Sequence, residues 1–263
     1  MNNVIYASDI DRTLVFSDKF LEEYPSNCEY EPVEYYKDRI ISYMSTDVKS
    51  ELAKVNSNKE VEFIPITSRS IDEYNRIDFG FKSEYAVVAS GGVILHNGEI
   101  VEEYADYIKS HMNNFECMDL LHDVSELDSV IGDARIVDNC YIFCKTNDPA
   151  VLDMEIQPII DKYSNWEFTR QNRKIYILPY HFSKQIALRW LWNKLGKPYI
   201  VASGDGILDI PMLALADRAI IPEHAEIIKS GYIESCEKAS GGIESPLYTI
   251  KAVLDKLGDD TRE

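Results

Sequence analysis

Residues 4–13 of the chain read Val4-Ile5-Tyr6-Ala7-Ser8-Asp9-Ile10-Asp11-Arg12-Thr13. This stretch decides the fold prediction, because its first four residues form a short, continuous apolar run, as in a parallel strand buried on both faces. Polar residues follow at once from Ser8 onward, at the carboxyl end of the expected strand. Doubly wound sheets bind their ligands beyond that end of their strands. We therefore expect the residues after Ala7 to face a ligand.

The same design, an apolar run that ends in polar residues, recurs later in the chain. It recurs at Glu62–Thr67, at Tyr85–Ser90 before Gly91-Gly92, at Tyr199–Ser203 before Gly204-Asp205-Gly206, and more weakly at Arg218–Ile221. Apolar residues at helical spacing fall between these runs, over about residues 33–55, 183–195 and 208–215. Because strands alternate with helices, the sequence predicts an α/β fold with a doubly wound, Rossmann-like parallel sheet.

The middle of the chain has a different pattern. Strand candidates lie at Glu99–Val101, Ala134–Val137, Asn139–Lys145 and Arg173–Leu178, and helical patterns lie near residues 104–121 and 149–163. This pattern favours an α+β unit with antiparallel strands. We expect an inserted domain over residues 93–180, a core made of residues 1–92 and 181–263, and hinges near residues 92 and 180.

The charge balance limits the classes of partner. The 263 residues include 27 Lys and Arg against 45 Asp and Glu, which gives a formal net charge of −18. Nucleic acids and anionic membranes require a basic face, so we expect neither as a partner. A small anionic substrate stays possible, but it would need a local cation, either a metal ion or a few converging Lys and Arg side chains.

The sequence predicts neither a secretory signal nor a membrane-spanning helix. No basic stretch precedes a long apolar run, and no run approaches the roughly 18 apolar residues of a membrane-spanning helix. The five cysteines are odd in number and scattered, without the close pairs of a zinc site. These features favour a cytoplasmic protein with reduced thiols.

Four polar clusters lie at predicted strand ends or helix starts. They are Asp9-Ile10-Asp11-Arg12-Thr13, Thr67-Ser68-Arg69, Ser183-Lys184 and Gly204-Asp205-Gly206-Ile207-Leu208-Asp209. Paired carboxylates after a buried strand can share a metal ion or a reacting group, and hydroxyl and N–H groups can receive phosphate oxygens. Each cluster alone also fits a turn, a helix cap or a solvated surface residue.

In this order the clusters resemble the signature of the haloacid dehalogenase-like (HAD) superfamily of phosphohydrolases. That signature runs Asp-x-Asp-x-Thr, then Thr or Ser, then Lys, then Gly-Asp-x-x-x-Asp. The insert lies between the second and third elements, a position similar to the type-2 (C2) cap of the Cof-like and sucrose-phosphatase-like branches. Thr67-Ser68-Arg69 resembles their Thr-Gly-Arg, and Ser90–Ile94 resembles their Asn-Gly-Ala stretch before the cap. The resemblance covers nearly the whole chain.

The resemblance implies a Mg²⁺-dependent phosphatase that acts on a small phosphorylated metabolite, with a sugar phosphate as the expected class. Asp9 would attack phosphorus and form an aspartyl-phosphate. Asp11 would act as general acid and then as general base, for which its pKa should be raised. Metal ligands would be the carboxylates of Asp9 and Asp205 and the backbone carbonyl of Asp11. Asp209 would orient the metal shell or Lys184, or ligate directly.

The resemblance also implies the groups that hold the substrate. The N–H groups of Thr67 and Ser68 would hold the phosphoryl oxygens, and Lys184 would neutralise charge on these oxygens and on Asp9. Arg69 and Arg12 are added as substrate-binding residues. The wider set of residues expected to line the cleft is Arg12, Arg69, Tyr141, Arg170, Arg173 and Lys174.

Three features depart from the pattern of the superfamily. Arg12 replaces a common Gly and is expected to face the cleft, and Leu208 replaces an Asn that can contact phosphate. The Tyr-rich segment 16–36 is interpreted as a surface loop packed by aromatic residues, with closure of the substrate site as the alternative.

Other functions stay open at this point. A phosphotransferase or phosphomutase would use the same aspartyl-phosphate and return the phosphoryl group to an organic acceptor. A noncatalytic protein that binds a phosphorylated metabolite would usually lose the acids of the first cluster, which are kept here. A glycosyltransferase with an Asp-x-Asp metal clamp gives Lys184 and Asp205 no role.

Overall fold

The structure is a computed structural model that describes residues 3–111, 114–231 and 235–260. Its strands are β1 (Val4–Ser8), β2 (Tyr30–Tyr36), β3 (Arg39–Ser45), β4 (Val61–Pro65), β5 (Tyr85–Val88), β6 (Val93–His96), β7 (Glu99–Ile100), β8 (Val130–Val137), β9 (Tyr141–Thr146), β10 (Trp166–Gln171), β11 (Lys174–Pro179), β12 (Tyr199–Ser203), β13 (Arg218–Pro222) and β14 (Glu237–Ala239). Its α-helices are α1 (Asp18–Glu23), α2 (Thr46–Ser57), α3 (Ile71–Tyr74), α4 (Glu102–Ser110), α5 (Asn114–Ser125), α6 (Pro149–Glu155), α7 (Gln157–Lys162), α8 (Lys184–Lys194), α9 (Ile210–Leu213) and α10 (Pro246–Asp260).

A five-stranded sheet in the order β14-β13-β12-β1-β4 forms the centre of the core, and all of its strand pairs are parallel. Successive residues of β1 pack on opposite faces, as the period of a strand requires. Ile5 and Ala7 lie in the hydrophobic cluster that includes α8, whereas Val4 and Tyr6 lie in the cluster that includes α2 and α10. Helices therefore cover both faces, and the predicted doubly wound α/β core is confirmed.

The insert carries an antiparallel sheet in the order β10-β11-β9-β8. One face of this sheet packs against helices α5, α6 and α7, for example Ile142 and Ile177 against Leu120 and Ile159. The other face, which includes Tyr176, belongs to the hydrophobic cluster of the core. The predicted α+β insert is therefore confirmed as an architecture, and its boundaries at residues 93 and 180 stay a prediction.

The helix expected over residues 33–55 is wrong in its first half. Strands β2 and β3 form an antiparallel hairpin there, and the helix begins only at Thr46. Lys37 and Asp38 make the turn with φ of 48° and 63°, the left-handed conformations of a tight hairpin turn. Val33 and Met44 fix the hairpin on the core by burial. The apolar spacing fits a helix and an alternating strand about equally well over so short a stretch.

One strand prediction and one helix prediction also need correction, and one strand of the parallel sheet is not predicted from the sequence. Tyr85–Val88 is a strand, but it pairs antiparallel with β6 in a separate sheet and meets the end of β4 at one bridge between Ile66 and Val87. The fifth parallel strand is instead β14, whose three residues are too short for a recognisable pattern. The helix expected from Leu208 starts as a 3₁₀ turn over Ile207–Asp209, followed by α9.

The five cysteines are all free thiols. In the three described ranges, the helices are too short or too polar to cross a membrane.

Candidate active site

The carboxyl end of β1 brings the first and fourth polar clusters together. The N–H of Asp9 donates to the carbonyl oxygen of Ser203 at 2.9 Å, and the hydroxyls of Ser8 and Ser203 lie 3.0 Å apart. These bonds continue the pairing of β1 with β12 beyond the sheet and place the Asp9 carboxyl opposite the Asp205 loop. Asp9 is only 6% exposed, and its Oδ2 accepts a hydrogen bond from Thr13 at 3.3 Å.

Lys184 lies at the start of α8 and joins two carboxylates. Its Nζ donates to Oδ1 of Asp9 and to Oδ1 of Asp209, each at 2.5 Å, and the side chain is 3% exposed. Ser183 caps the helix through its hydroxyl. The start of α8 packs directly against the backbone of Gly91, whose φ is +98°. Only glycine allows this contact, because a Cβ there would lie 2.2 Å from the carbonyl oxygen of Ser183.

Asp209 holds the loop that carries Asp205. Its Oδ2 accepts hydrogen bonds from the N–H groups of Asp205 at 3.1 Å and of Gly206 at 2.9 Å. Its other oxygen accepts from Lys184. Asp209 therefore positions both the loop and the lysine, which supports the orienting role expected from the sequence.

Three buried carboxylates form a cluster whose oxygens could hold a metal ion. Asp9, Asp205 and Asp209 each offer one oxygen, and these oxygens lie within 4.8 Å of one another. Burial raises the pKa of Asp9 to about 7, the charge of Asp209 adds to this, and Lys184 opposes it. Burial and the charge of Asp9 also raise the pKa of Asp205 well above its usual range. A cation would relieve this concentration of negative charge, and oxygen ligands of this kind suit Mg²⁺.

Asp11 does not have the raised pKa expected from the sequence. Its carboxylate accepts two hydrogen bonds from Arg69, each 2.8 Å long. Desolvation alone would raise the pKa of Asp11, but the hydrogen bonds and charge of Arg69 outweigh it and hold that pKa below its usual range. The expectation is wrong for this arrangement because Arg69 stabilises the charged form.

Two phosphate-binding groups proposed from the sequence are already engaged. The N–H of Thr67 donates to the carbonyl oxygen of Val87 at 2.9 Å. The Thr67 hydroxyl accepts a hydrogen bond from the N–H of Arg69 at 3.1 Å and can still donate one to a phosphoryl oxygen. The guanidinium of Arg69 is shared between Asp11 and Glu34. Arg69 therefore neutralises carboxylates here rather than facing open solvent.

Arg12 lies beside the acidic cluster, on the cleft side as expected. Its Nε donates to Oδ2 of Asp205 at 2.9 Å, and its guanidinium lies 5.1 Å from the centre of the Phe20 ring. Nε2 of the neighbouring His224 donates to the carbonyl oxygen of Arg12 at 2.8 Å. Arg12 thus places a positive charge next to an expected metal ligand.

The other residues expected to line the cleft divide into two groups. Arg173 and Lys174 line a cavity of about 920 Å³ together with Arg12. Tyr141 is buried and donates to the carbonyl oxygen of Ser68 at 2.6 Å, so it joins the insert to the core. Arg170 pairs with Asp153, both bonds 3.0 Å long. Neither Tyr141 nor Arg170 lines the cavity that Arg12, Arg173 and Lys174 share.

The Tyr-rich segment 16–36 is more ordered than the surface loop favoured from the sequence. It forms α1 and β2, and the rings of Phe20 and Tyr24 stack 4.8 Å apart on the wall of the same cavity. Leu208 is partly buried against the core cluster. The side-chain amide of Gln171 lies over Gly206, where a Cβ would meet Nε2 at 2.7 Å.

Glu34 is a site residue that the sequence did not reveal. It is fully buried on the β2–β3 hairpin and accepts hydrogen bonds from Arg69 at 2.8 Å, Arg76 at 3.2 Å and Ser42 at 3.0 Å. Glu34 thereby holds Arg69, which in turn holds Asp11. In the sequence, Glu34 is a single acidic residue in a stretch predicted to be a helix. That prediction gives no indication that Glu34 contacts Arg69.

Replacing Glu34 with Gln should lower the free energy of unfolding by roughly 3 kcal/mol, because it removes a buried charge from two arginines. Urea unfolding at neutral pH measures this loss. Glu31→Gln is the matched control on the same hairpin. Glu31 pairs with Lys49, and its side chain is 45% exposed. We therefore expect its free energy of unfolding to change by less than about 1 kcal/mol. Equal losses in the two variants would contradict the buried role of Glu34.

Comparisons with known proteins agree with this architecture. No protein-family profile matches the sequence, and no curated protein matches it. Among solved structures, sucrose-phosphatase from Synechocystis, in complex with sucrose and phosphate, has a TM-score of 0.69 and 15% identity, covering 96% of this chain and 98% of that one. A HAD-superfamily phosphatase from Bacteroides thetaiotaomicron has a TM-score of 0.59 and 15% identity, with 97% and 95% coverage.

A sugar phosphatase of HAD subclass IIB is also similar, with a TM-score of 0.60 and 12% identity, covering 97% of this chain and 98% of that one. At these identities the likeness establishes the fold. The HAD-like fold with an inserted cap, expected from the sequence, is therefore confirmed over nearly the whole chain.

Proposed function

We propose that the chain is a Mg²⁺-dependent phosphatase that hydrolyses a small phosphorylated metabolite, with phosphorylated sugars as the substrate class. The observation that carries this proposal is Lys184 held between Asp9 and Asp209 beside Asp205. A buried carboxylate that could act as the nucleophile, the ammonium bound to it and an oxygen cluster suited to a metal thus lie together at the end of β1. The likeness to the fold of phosphatases supports the same reaction.

In the first step an oxygen of Asp9 attacks phosphorus, and the bond from phosphorus to the leaving oxygen breaks. Lys184 and Thr13 hold the Asp9 carboxylate by hydrogen bonds, so it needs little reorganisation before attack. The product of this step is a phosphoryl group on Asp9. Water then attacks that phosphorus, releases phosphate and restores the carboxylate.

Asp11 moves the protons in both steps. It gives a proton to the leaving oxygen and later takes one from the attacking water. Because Arg69 holds Asp11 in its charged form, Asp11 must exchange Arg69 for the substrate and take up a proton from solvent before the first step. Glu34 offers Arg69 an alternative carboxylate during that exchange.

The carboxylates of Asp9 and Asp205, with the backbone carbonyl of Asp11, would hold Mg²⁺, and Asp209 would orient this set. When bound, the cation supplies positive charge that favours the ionised carboxylates and offsets the charge of the phosphate. The Thr67 hydroxyl and Lys184 would receive phosphoryl oxygens. The insert would cover the substrate, which favours a small molecule over a phosphoprotein.

Magnesium should be required for phosphate release and should raise the melting temperature. At about 100 times its dissociation constant, Mg²⁺ would add roughly 2.7 kcal/mol to the free energy of unfolding. Thermal unfolding with Mg²⁺ and with a chelator measures this, beside phosphate release from an aryl phosphate and a panel of sugar phosphates. Asp205→Asn should abolish the thermal shift, whereas Asp255→Asn, an exposed site on α10, should keep it.

Assays with the same set of phosphate compounds distinguish a phosphatase from the alternative functions. Phosphate release without an organic acceptor supports a hydrolase, while transfer to an acceptor indicates a phosphotransferase or phosphomutase. Binding of a phosphorylated compound without turnover indicates a noncatalytic binding protein. An equal thermal shift in Asp205→Asn would contradict the metal site.

A further inference from the structure

The cavity of about 920 Å³ lies against the candidate active site. Arg12 lines it and also pairs with Asp205 at 2.9 Å. Gln171 lines it and lies over Gly206, on the same loop as Asp205. Lys174 is close enough to the reaction centre for the charges of Asp11 and Asp205 to raise its pKa, after the larger effect of Tyr176. The part of a substrate that does not react would therefore occupy this cavity.

The charge of the cavity is opposite to that of the chain. The chain has 45 acidic residues and 27 Lys and Arg. The cavity wall has five basic side chains and three acidic ones, which are Arg12, Lys19, Lys145, Arg173 and Lys174 against Glu23, Glu223 and Glu226. A local excess of positive charge in so acidic a chain indicates an anionic occupant.

Lys145 and Lys174 form the most unusual part of this wall. They are directly opposite each other on the antiparallel strands β9 and β11, and both line the cavity. Like charges in opposite positions of a strand pair repel each other. Both side chains are exposed, and none of the ion pairs between described residues includes either lysine. This repulsion would be relieved by an anion bound between the two ammonium groups.

A monophosphate whose sugar part is uncharged leaves Lys145 and Lys174 without a charged partner. Its single phosphoryl group must lie at Asp9 and Lys184, where the reaction takes place. The remainder of such a molecule would bring only hydroxyl groups to two lysines that have no ion-pair partner. Hydrogen bonds between charged partners are stronger than those to neutral groups.

We propose that the substrate carries a second anionic group, a carboxylate or a second phosphate, and that Lys145 and Lys174 receive it. This inference rests on the proposed phosphatase function and narrows its substrate class. Phosphorylated sugar acids and sugar bisphosphates match the charge of the cavity. Monophosphates of uncharged sugars are poorer substrates.

The test compares matched compounds: a hexose monophosphate, the corresponding hexose bisphosphate and the corresponding phosphorylated sugar acid. We expect the two compounds with a second anion to have kcat/KM values at least about tenfold higher, mainly through a lower KM. The bisphosphate and the sugar acid distinguish phosphate from carboxylate as the preferred group. In Lys145→Gln the preference for a second anion should fall about tenfold. Arg170→Gln, on the same sheet but paired with Asp153, should keep it.

Binding to the Asp9→Asn variant, measured by calorimetry, gives a second readout that needs no turnover. Tighter binding of the second-anion compounds, lost in the double variant with Lys145→Gln, supports the inference. Equal affinities for the three compounds overturn it. Turnover of an aryl phosphate without any preference in the panel would overturn this inference and leave the phosphatase proposal standing. Preferential binding of the second-anion compounds without any turnover would support this inference and overturn the phosphatase proposal.

Discussion

Asp9→Asn should reduce phosphate release at least about 10⁴-fold, because it removes the proposed nucleophile. The amide keeps the shape of the side chain and can still accept a hydrogen bond from Lys184, so the fold should be retained. Steady-state release of phosphate from an aryl phosphate with Mg²⁺ measures the loss. Asp106→Asn is the control, since its carboxylate is 77% exposed on α4. Activity within tenfold of the unmodified chain would rule out Asp9 as the nucleophile.

The same variant should change how stability depends on pH in the absence of metal. Burial raises the pKa of Asp9 from 3.8 to about 7, so the folded chain keeps a proton that the unfolded chain releases. The free energy of unfolding contributed by Asp9 is therefore fully present below pH 3.8 and is lost as the pH rises toward 7. Urea unfolding with a chelator should show this decline. Asp9→Asn should make the decline shallower, with Asp205 contributing the remainder, and an unchanged slope would contradict the assignment.

Lys184→Met should cause the second large effect, at least about 10³-fold lower activity, because it removes the cation beside Asp9 and the phosphoryl oxygens. Burial alone would lower the pKa of Lys184, but the charges of Asp209 and Asp9 raise it, so the ammonium stays charged. Removing it leaves two buried carboxylates without their partner. This should cost roughly 3–5 kcal/mol of stability at neutral pH.

Phosphate release and urea unfolding measure the two effects of Lys184→Met together. Lys194→Met is the matched control at the other end of the same helix, where the side chain is 41% exposed. Its activity should stay within about twofold, because an exposed ion pair contributes little. Full activity in Lys184→Met would mean that another group neutralises the phosphoryl oxygens.

The parts of the fold that the sequence predicted are those in which neighbouring residues determine the structure. Val4–Ala7 is apolar on both faces, and a buried parallel strand requires that pattern. Ser183 and Lys184 combine a helix cap with a charged residue at the start of one helix. The sequence predicts a helix where the β2–β3 hairpin lies, because the hairpin turn uses the left-handed Lys37 and Asp38 rather than a recognisable glycine.

The parts of the site that the sequence did not reveal depend on distant contacts. The low pKa of Asp11 requires Arg69, and Arg69 requires Glu34 from the hairpin. Lys145 and Lys174 face the same cavity only because the register of β9 and β11 sets them opposite each other. Resemblance to the HAD signature supplied candidates near Asp9, but not these pairings.

The most direct test of the central claim is to look for the phosphoryl group on Asp9 itself. The chain is mixed with an aryl phosphate and Mg²⁺, turnover is stopped within milliseconds by acid, and the peptides are examined by mass spectrometry. We predict one phosphoryl group on the peptide that contains Asp9, absent in Asp9→Asn. Turnover with no phosphoryl group on that peptide, or with the group on another residue, would contradict the proposed reaction.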